Sequence, residues 1–238
     1  FERPLLEDDL EKIRPLVRRR GQREPLQYIL GSTEFFGVEL KVDRRALIPR
    51  PETEHLAAQI VEKLPQAPAT ILDLGTGSGA LALSLANHFA ESKVLATDVS
   101  AEAVALATEN ANALNLTDRV ELRQSDWFTA IEADATFDLI VSNPPYLSEK
   151  ETDETLTEVK DYEPRIALTP GESELGLESY EIIISQAAAH LASSGLLAME
   201  TGIAQREALE VMLTRPDFSR YEFVADLTDR ERFVFAWK

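Results

Sequence analysis

The fold is decided by Ile71-Leu72-Asp73-Leu74-Gly75-Thr76-Gly77-Ser78-Gly79, where an apolar run passes directly into a glycine-rich loop. A helical pattern, Ala80–Phe89, begins at once, so the loop joins a strand to the start of a helix. The glycines allow close approach of a ligand to the backbone, and the first helical turn offers free N–H groups. The loop lacks both the G-x-G-x-x-G fingerprint and the Gly-Lys-Ser/Thr ending of a P-loop. It therefore predicts a nucleotide site of another kind, with a purely structural turn as the alternative.

Strand-like runs and helical stretches alternate after residue 69, which predicts an α/β fold with a mostly parallel seven-stranded sheet and helices on both faces. The last two runs are separated only by residues 226–232, so we expect them to form an antiparallel hairpin. The predicted strands are Ile71–Leu74, Val94–Thr97, Val120–Arg123, Phe137–Ser142, Leu196–Glu200, Tyr221–Ala225 and Phe233–Trp237. The predicted helices between them are Ala80–Phe89, Ala101–Leu114, Ser179–Leu191 and Gln205–Leu213.

Residues 1–30 have a helical pattern, with Pro15 as a kink. The basic run at 18–20 precedes Gly21, which is typical of a helix C-terminus. A contact of this run with an acidic partner is the alternative. We expect residues 1–30 to form a small helical segment in front of the main domain.

The next segment, residues 31–50, is expected to be a β-hairpin linker. Phe36–Val42 alternates in hydrophobicity, which predicts a strand with a bend at Gly37. Pro51 is suited to the first turn of a helix, and the main domain is predicted to span residues 51–238.

Composition restricts the class of protein. The 238 residues include 24 Lys and Arg against 42 Asp and Glu, a net charge of −18, and no Cys. The absence of Cys excludes thiolate metal sites, and no metal is predicted. Non-specific binding of nucleic acid is disfavoured because phosphate binding needs basic residues. We expect an acidic solvated surface that attracts cationic ligands. No run of about 18 apolar residues and no signal segment is found, so we expect a cytoplasmic protein, monomeric and without membrane contact.

Two further features concern the N-terminus and the acidic stretch that follows the fourth predicted strand. The chain begins at Phe1 rather than Met, so we expect more protein upstream. The acidic stretch 148–161 has no clear period, which predicts a mobile loop or lid.

Polar and aromatic residues follow the second and third predicted strands. Asp98 lies about 20 residues past the loop, where a carboxylate accepts hydrogen bonds from both ribose hydroxyls; a helix cap is the alternative. Asp126 is expected to meet an adenine amine, and the Trp127 ring to pack on the adenine face, with a core position for Trp127 as the alternative. These residues predict an adenosine across the carboxyl ends of strands one to three.

Asn143-Pro144-Pro145-Tyr146 follows the fourth strand, at the same sheet edge as the glycine loop. The prolines fix the backbone and remove two N–H donors. The side-chain carbonyl of Asn143 and the main-chain carbonyl of Pro144 are suited to accept both N–H bonds of one planar –NH2 group, on which Tyr146 stacks. A plain proline-rich turn is the alternative.

This arrangement suits methylation of an amide or of a ring-attached amine. Such a nitrogen is a poor nucleophile, and two acceptors on its hydrogens favour localising its lone pair. The carbonyl dipoles also stabilise the positive charge that develops on nitrogen, and in-line placement adds proximity. No strong general base is required, and we interpret all three histidines as structural: His55, His88 and His190.

Three motifs resemble those of class I S-adenosylmethionine-dependent methyltransferases of the amino type: residues 73–79, the Ser-Asp-Trp-Phe at 125–128 and the Asn-Pro-Pro-Tyr at 143–146. Residues 25–31 and 47–54 narrow the resemblance to the PrmC/HemK family of peptide chain release factor N5-glutamine methyltransferases, over nearly the whole chain. The resemblance implies a Rossmann-like class I methyltransferase fold. It also implies methyl transfer to the glutamine of the Gly-Gly-Gln loop in class I release factors.

The resemblance assigns roles to individual residues. Asn143 and Pro144 would form the catalytic pair, and Arg50 and Thr53 would lie near the methionine end of the cofactor. Family members carry a longer N-terminal helical domain that helps to bind the release factor, and residues 1–30 resemble its last part. The implied substrate contacts are Asn143, Pro144, Pro145 and Tyr146. The implied cofactor contacts are Gly75, Thr76, Gly77, Ser78, Gly79, Asp98, Trp127 and Asn143.

Other functions compete with this hypothesis. An adenine-specific DNA or RNA methyltransferase shares the Asn-Pro-Pro-Tyr motif but needs base flipping and a basic channel, which a charge of −18 disfavours. A dinucleotide-binding oxidoreductase and a non-catalytic interaction protein with the same fold are the remaining alternatives.

Overall fold

Nine strands are found in the part of the chain that the computed structural model describes, residues 6–171, 173–214 and 218–238. The first two form a separate hairpin, and the other seven form the main sheet and overlap the seven predicted runs. The predicted strand Leu196–Glu200 begins too late, because the observed strand already starts at Leu191, which pairs with Phe137. Residues 1–5 of the predicted helical segment lie outside the described residues. The strands are β1 (Ser32–Phe35), β2 (Val38–Lys41), β3 (Thr70–Leu74), β4 (Lys93–Asp98), β5 (Val120–Gln124), β6 (Phe137–Ser142), β7 (Leu191–Glu200), β8 (Arg220–Ala225) and β9 (Glu231–Trp237).

Helices cover both faces of the sheet, and a short 3₁₀ helix spans Arg165–Ala167. The four helices predicted between the strands are confirmed to within one residue at each end. The α-helices are α1 (Glu7–Gly21), α2 (Leu26–Leu30), α3 (Pro51–Lys63), α4 (Ala80–His88), α5 (Ala101–Ala113), α6 (Glu149–Glu154), α7 (Thr157–Lys160), α8 (Glu178–His190) and α9 (Arg206–Leu213).

The strand order in the main sheet is β5-β4-β3-β6-β7-β9-β8. Neighbours from β5 through to β7 are parallel, whereas β9 is antiparallel to both β7 and β8. The expected C-terminal hairpin is therefore confirmed. The chain runs outward from β3 to β5 and then returns to β6 on the other side of β3. This reversal opens a crevice at the carboxyl ends of β3 and β6, the usual ligand position in such sheets.

Alternate side chains of β3 enter two separate cores. Ile71 packs with apolar residues of α3, α4 and α5, while Leu72 and Leu74 pack with those of α8 and α9. Helix α4 is buried from Ala80 to Ala86 because small residues let it lie close to the sheet. This close packing fixes the start of α4 against the glycine-rich loop.

The predicted strand Phe36–Val42 is wrong in its first two residues. Phe36 and Gly37 form the turn of the hairpin, with φ of 43° and 79°, and the strand itself begins at Val38. Two central residues with positive φ are what a tight two-residue hairpin turn requires. The predicted alternation holds within the strand, since Val38 and Leu40 are buried.

The N-terminal helical prediction holds as two helices. Helix α1 continues through Pro15 and ends at Gly21, and residues 22–25 separate it from α2. No residue of α1 is buried, so its apolar positions do not face a core. The basic run lies in the last turn as predicted, and Arg20 also donates to Glu158 of α7 at 3.1 Å.

The irregular loop predicted at 148–161 is instead largely helical. Ser148 and Glu151 cap α6 reciprocally, since the Ser148 hydroxyl accepts from the Glu151 N–H and the Glu151 carboxylate accepts from the Ser148 N–H. This capping stabilises α6 without an apolar period, whereas α7 has no side-chain cap, so the apolar pattern predicts neither helix. None of the helices in residues 6–171, 173–214 and 218–238 is both long enough and apolar enough to cross a membrane.

Candidate active site

A cavity of about 280 Å³ lies where the strand order reverses, at the carboxyl ends of β3, β4, β5 and β6. It brings together most of the predicted site residues, and Arg50 and Thr53 also line it. Gly79, Pro144 and Tyr146 are not among the lining residues. The predicted residues that do line the cavity are Gly75, Thr76, Gly77, Ser78, Asp98, Asp126, Trp127, Asn143 and Pro145.

The glycine loop relies on left-handed backbone at three positions. The φ angles of Gly75, Gly77 and Gly79 are 74°, 57° and 87°, and the Gly75 N–H donates to the Thr97 carbonyl at 2.9 Å. A Cβ added at Gly79 would lie 2.8 Å from Leu83 Cδ1. Gly79 is thus required for packing of α4, whereas Gly75 and Gly77 line the cavity.

Asp98 connects the loop to the next helix. One carboxylate oxygen accepts from the Gly77 N–H and the other from the Ser100 N–H, both at 2.9 Å. The cap of α5 itself is Ser100, whose hydroxyl accepts from the Ala103 N–H at 3.2 Å. Burial raises the pKa of Asp98, and the backbone N–H groups oppose that effect. Asp98 therefore fixes the loop from one side while lining the cavity from the other.

Asp73 lies beneath the loop as a fully buried carboxylate. Its Oδ2 accepts from the Thr76 hydroxyl at 2.6 Å and from the Ala82 N–H at 3.2 Å. Its Oδ1 has no hydrogen-bond partner in the described part of the chain. Burial raises the pKa of Asp73 to about 7, and the nearby charge of Asp98 acts in the same direction. An incompletely paired carboxylate at the floor of the cavity favours a cationic ligand.

Trp127 forms one side of the cavity in a conformation that is rare for a bulky residue. Its φ is 47°, and its carbonyl accepts from the Ser125 hydroxyl at 2.8 Å. The half-buried ring packs against the second core, and a Cβ added at Gly75 would lie 3.8 Å from it. Trp127 thus occupies both positions considered from the sequence, cavity side and core edge. Asp126 is exposed at the rim.

The Asn143 side chain is held by a residue from a distant part of the chain. Its Nδ2 donates to the Thr53 hydroxyl oxygen at 2.9 Å, and that hydroxyl donates to Glu200 Oε2 at 2.6 Å. The Ser142 hydroxyl donates to the Leu74 carbonyl at 2.6 Å, which locks the end of β6 against β3. No hydrogen bond to Asn143 Oδ1 is found among the described residues. That oxygen remains available as an acceptor beside the cavity.

Tyr146 points into a buried polar cluster on the other side of the motif. Its hydroxyl donates to Glu200 Oε1 at 3.1 Å and accepts from Arg232 Nη2 at 2.7 Å. Arg232 also donates to Glu200 Oε1 at 3.0 Å, and its guanidinium lies 5.0 Å from the centre of the Tyr146 ring. Burial raises the pKa of both Tyr146 and Glu200. The cluster therefore anchors the loop that follows β6.

The linker supplies one rim of the cavity and is tied down at two points. Arg50 forms an ion pair with the buried carboxylate of Glu163, and the Tyr28 hydroxyl donates to the Ala46 carbonyl at 2.7 Å. Burial raises the pKa of Glu163, and the charge of Arg50 opposes that rise. These contacts hold the linker against the body of the protein.

Sequence reasoning missed Asp73, Glu200 and Arg232 as parts of the site. A signal for Glu200 was present, because it ends a predicted strand. Ser142 and Met199 are register partners in the sheet, so the residues that follow them, Asn143 and Glu200, lie side by side. For Arg232 the sequence carries no comparable signal.

Comparison with known proteins adds independent findings. Residues 53–160 match the Methyltransferase small domain family, and residues 1–31 match the PrmC N-terminal domain family. The release factor glutamine methyltransferase of Nitratidesulfovibrio vulgaris is 42% identical over 224 residues, which are 93% of this chain and 75% of that protein.

Two solved structures share the fold. A methyltransferase from Pyrococcus furiosus aligns with a TM-score of 0.64 and 20% identity, over 92% of this chain and 98% of that one. The 16S rRNA N2 G1207 methyltransferase of T. thermophilus, solved with AdoMet and guanosine, aligns with a TM-score of 0.63 and 22% identity, over 87% of this chain and 49% of that one.

The sheet order, the glycine loop and the cavity at the strand reversal define a class I methyltransferase fold, which both solved structures support. The 42% identity to the Nitratidesulfovibrio vulgaris protein, over most of both chains, then identifies the family within this class of methyltransferases. The chain belongs to the release factor glutamine methyltransferase family.

Proposed function

We propose that this enzyme transfers a methyl group from S-adenosylmethionine to N5 of the glutamine in the Gly-Gly-Gln loop of class I peptide chain release factors. The observation that carries the proposal is the Asn143 amide, whose nitrogen is bound by Thr53 while its oxygen remains available beside the cavity. An acceptor at this position fits a substrate that presents a carboxamide –NH2 group. The release factor glutamine methyltransferase that is 42% identical to this chain supports the choice of substrate.

The residues around the cavity fit S-adenosylmethionine. The glycine backbone at 75–77 allows close approach of a ligand, Asp98 suits ribose hydroxyls, and the Trp127 ring suits an adenine face. Asp73, with one unpaired buried oxygen, suits a cationic molecule. When bound, the cofactor supplies an activated methyl group. The related fold that was solved with AdoMet also supports this choice.

The chain's own residues prepare the substrate nitrogen. Asn143 Oδ1 and the Pro144 carbonyl each accept one N–H of the substrate carboxamide, which favours a localised lone pair on nitrogen. The same two dipoles stabilise the positive charge that develops there, without movement of a side chain. The nitrogen becomes neutral again when one of its two protons passes to solvent, so the product is an N-methyl amide that keeps one N–H. Pro145, which lines the cavity, contributes to the proposed substrate site. Tyr146, predicted to stack on the substrate –NH2 group, instead turns its hydroxyl to Glu200 and Arg232, and its ring lies against the Arg232 guanidinium.

The N-terminal segments contribute to recognition of the protein substrate in this proposal. Residues 1–30 are the end of a helical substrate-binding domain, 31–50 are the linker, and 51–238 form the methyltransferase domain. The match of residues 1–31 to the PrmC N-terminal domain supports this division, as do the exposed apolar side chains of Ile13 and Val17 on α1. We further propose a monomeric cytoplasmic enzyme that uses no metal and no nucleic-acid partner.

The direct test is mass spectrometry of a class I release factor after incubation with the protein and S-adenosylmethionine. We expect a gain of one methyl group on the glutamine of the Gly-Gly-Gln loop, and no gain in a variant in which that glutamine is alanine. Equal labelling of both proteins would contradict the proposed substrate. Methylation of adenine in an oligonucleotide, with no labelling of the release factor, would favour the nucleic-acid alternative.

A further inference from the structure

Glu200 contacts both ends of the Asn143–Tyr146 motif without lining the cavity. It reaches Asn143 through the Thr53 hydroxyl, and it accepts directly from the Tyr146 hydroxyl. Thr53 is 4% exposed and Glu200 is 0% exposed, so water does not compete for these hydrogen bonds. The Glu200 carboxylate at the end of β7 is therefore linked by hydrogen bonds to both ends of the motif that follows β6.

The donor and acceptor in each of the two hydrogen bonds that link Asn143, Thr53 and Glu200 follow from the chemistry of the Glu200 carboxylate. An ionised carboxylate accepts hydrogen bonds and donates none. Thr53 has a single hydroxyl hydrogen and gives it to Glu200 Oε2 at 2.6 Å. The Thr53 oxygen then offers only lone pairs, so the group that meets it at 2.9 Å must be the amide nitrogen of Asn143. Asn143 Oδ1 is consequently turned away from Thr53.

We propose that Glu200 and Thr53 are positioning residues that fix the orientation of the Asn143 amide, so that Oδ1 and not the –NH2 group meets the substrate nitrogen. This inference rests on the proposed function, because it matters only for a substrate that presents N–H donors. In the reversed orientation, the Asn143 –NH2 group would oppose the substrate –NH2 group. Donor would then face donor, and the stabilising dipole would be inverted.

Glu200 is itself held on every side. Arg232 from β9 supplies a positive charge and a hydrogen bond to Oε1 at 3.0 Å, and the Tyr180 hydroxyl from α8 donates to its main-chain carbonyl at 3.1 Å. Burial raises the pKa of Tyr146, which keeps its phenol protonated as a donor. These contacts oppose rotation of the carboxylate. The orientation of the Asn143 amide therefore follows from contacts within the fold and does not depend on bound substrate.

The test compares Thr53→Val with Thr53→Ser, because valine keeps the shape and removes the hydroxyl, whereas serine restores it. We expect Thr53→Val to lower kcat on the release factor by about tenfold to a hundredfold, as for a misplaced catalytic group. Because Thr53 also lines the cavity, the Kd for S-adenosylmethionine is measured alongside and should change less than kcat does, and Thr53→Ser should recover most of the lost kcat. Thr152→Val is the matched control, since the buried Thr152 hydroxyl has no hydrogen-bond partner among the described residues and lies outside the cavity lining.

A second readout needs no substrate. The side-chain amide signals of Asn143 in a ¹H–¹⁵N NMR spectrum, identified by their loss in Asn143→Ala, should shift in Thr53→Val and remain in place in Thr53→Ser and Thr152→Val. Unshifted signals in Thr53→Val, or equal kcat for the valine and serine variants, would overturn the inference. If the native protein does not methylate a release factor while the NMR shifts occur as expected, the proposed function fails, and only the orientation of the Asn143 amide by Thr53 is retained.

Discussion

The two halves of the cavity are built in different ways. The half proposed for the cofactor is built on residues 73–79, neighbours in sequence whose shape comes from left-handed glycine backbone, with Asp98 and Trp127 beside them. The half proposed for methyl transfer depends on Asn143, Thr53 and Glu200. Asn143 and Thr53 are 90 residues apart in the sequence, and Thr53 and Glu200 are 147 residues apart. The conformation of the glycine loop is therefore encoded largely locally, whereas the orientation of the Asn143 amide is encoded by tertiary contacts. Each half accordingly predicts a different response to mutation.

The largest effect is expected in the transfer half, from Asn143→Ala. The variant removes an acceptor that acts on developing charge, by analogy with oxyanion-hole donors, so kcat should fall by roughly 100- to 1000-fold, or about 2.7–4 kcal/mol. Steady-state kinetics on a release factor would measure the loss. Asn112→Ala, on the exposed face of α5, is the control and should retain native kcat. A decrease of less than threefold for Asn143→Ala would remove Asn143 from the mechanism.

Substitutions in the glycine loop should lower the free energy of unfolding, and Gly79→Ala tests this expectation. An alanine there must adopt a φ of 87° and place its Cβ 2.8 Å from Leu83 Cδ1. We expect a loss of about 3 kcal/mol in the free energy of unfolding, from left-handed strain together with overpacking. Gly37→Ala separates the two causes, because φ is 79° at that position but nothing lies within 4 Å of the added Cβ. Equal destabilisation in chemical denaturation would show that contact with α4 contributes nothing.

A smaller effect is expected from the titration of Asp73, whose pKa is raised to about 7 by burial. If the cationic cofactor favours the ionised carboxylate, its Kd should fall about tenfold between pH 6 and pH 8. Calorimetry on the native protein and on Asp73→Asn would isolate this dependence, since titration of the ligand itself is common to both. Parallel pH profiles for the two proteins would contradict a role for the Asp73 charge.

The same raised pKa has a consequence for stability, with the opposite trend in pH. The unfolded carboxylate ionises near its ordinary value of 3.8, while the folded one retains its proton up to about pH 7. The folded state therefore binds more protons in this range, and the contribution of Asp73 to stability declines as pH rises from about 4 to about 7. Asp73→Asn should remove this part of the pH dependence in denaturant unfolding.

The main features of the fold could be predicted from the sequence because each strand of the main sheet is a local apolar run. The predicted strand Phe137–Ser142 matches the observed one at both ends, and the C-terminal hairpin followed from the short spacing of its strands. Errors occurred where local signals were weak or shared. Phe36 fits an alternating strand as well as a hairpin turn, and the short helices α6 and α7 have no apolar period.

The placement of the candidate site residues could be predicted where they carry a local signature. Gly75, Asp98 and Asn143 line one cavity, as expected for residues at the ends of strands that meet at one sheet edge. Arg232 and the link between Glu200 and Thr53 were not found, because their contacts depend on the packing of β7, β9 and α3. A single sequence carries no periodic or spacing signal for such pairs.

The central claim is that Asn143 Oδ1 and the Pro144 carbonyl grip the substrate carboxamide. A crystal structure of the enzyme with S-adenosylhomocysteine and a release factor would test it most directly. We expect the glutamine nitrogen at about 2.9 Å from both oxygens, with Asn143 Nδ2 still bound to Thr53. A glutamine nitrogen that lies away from these oxygens, or an Asn143 amide that presents its –NH2 group to the substrate, would contradict the account.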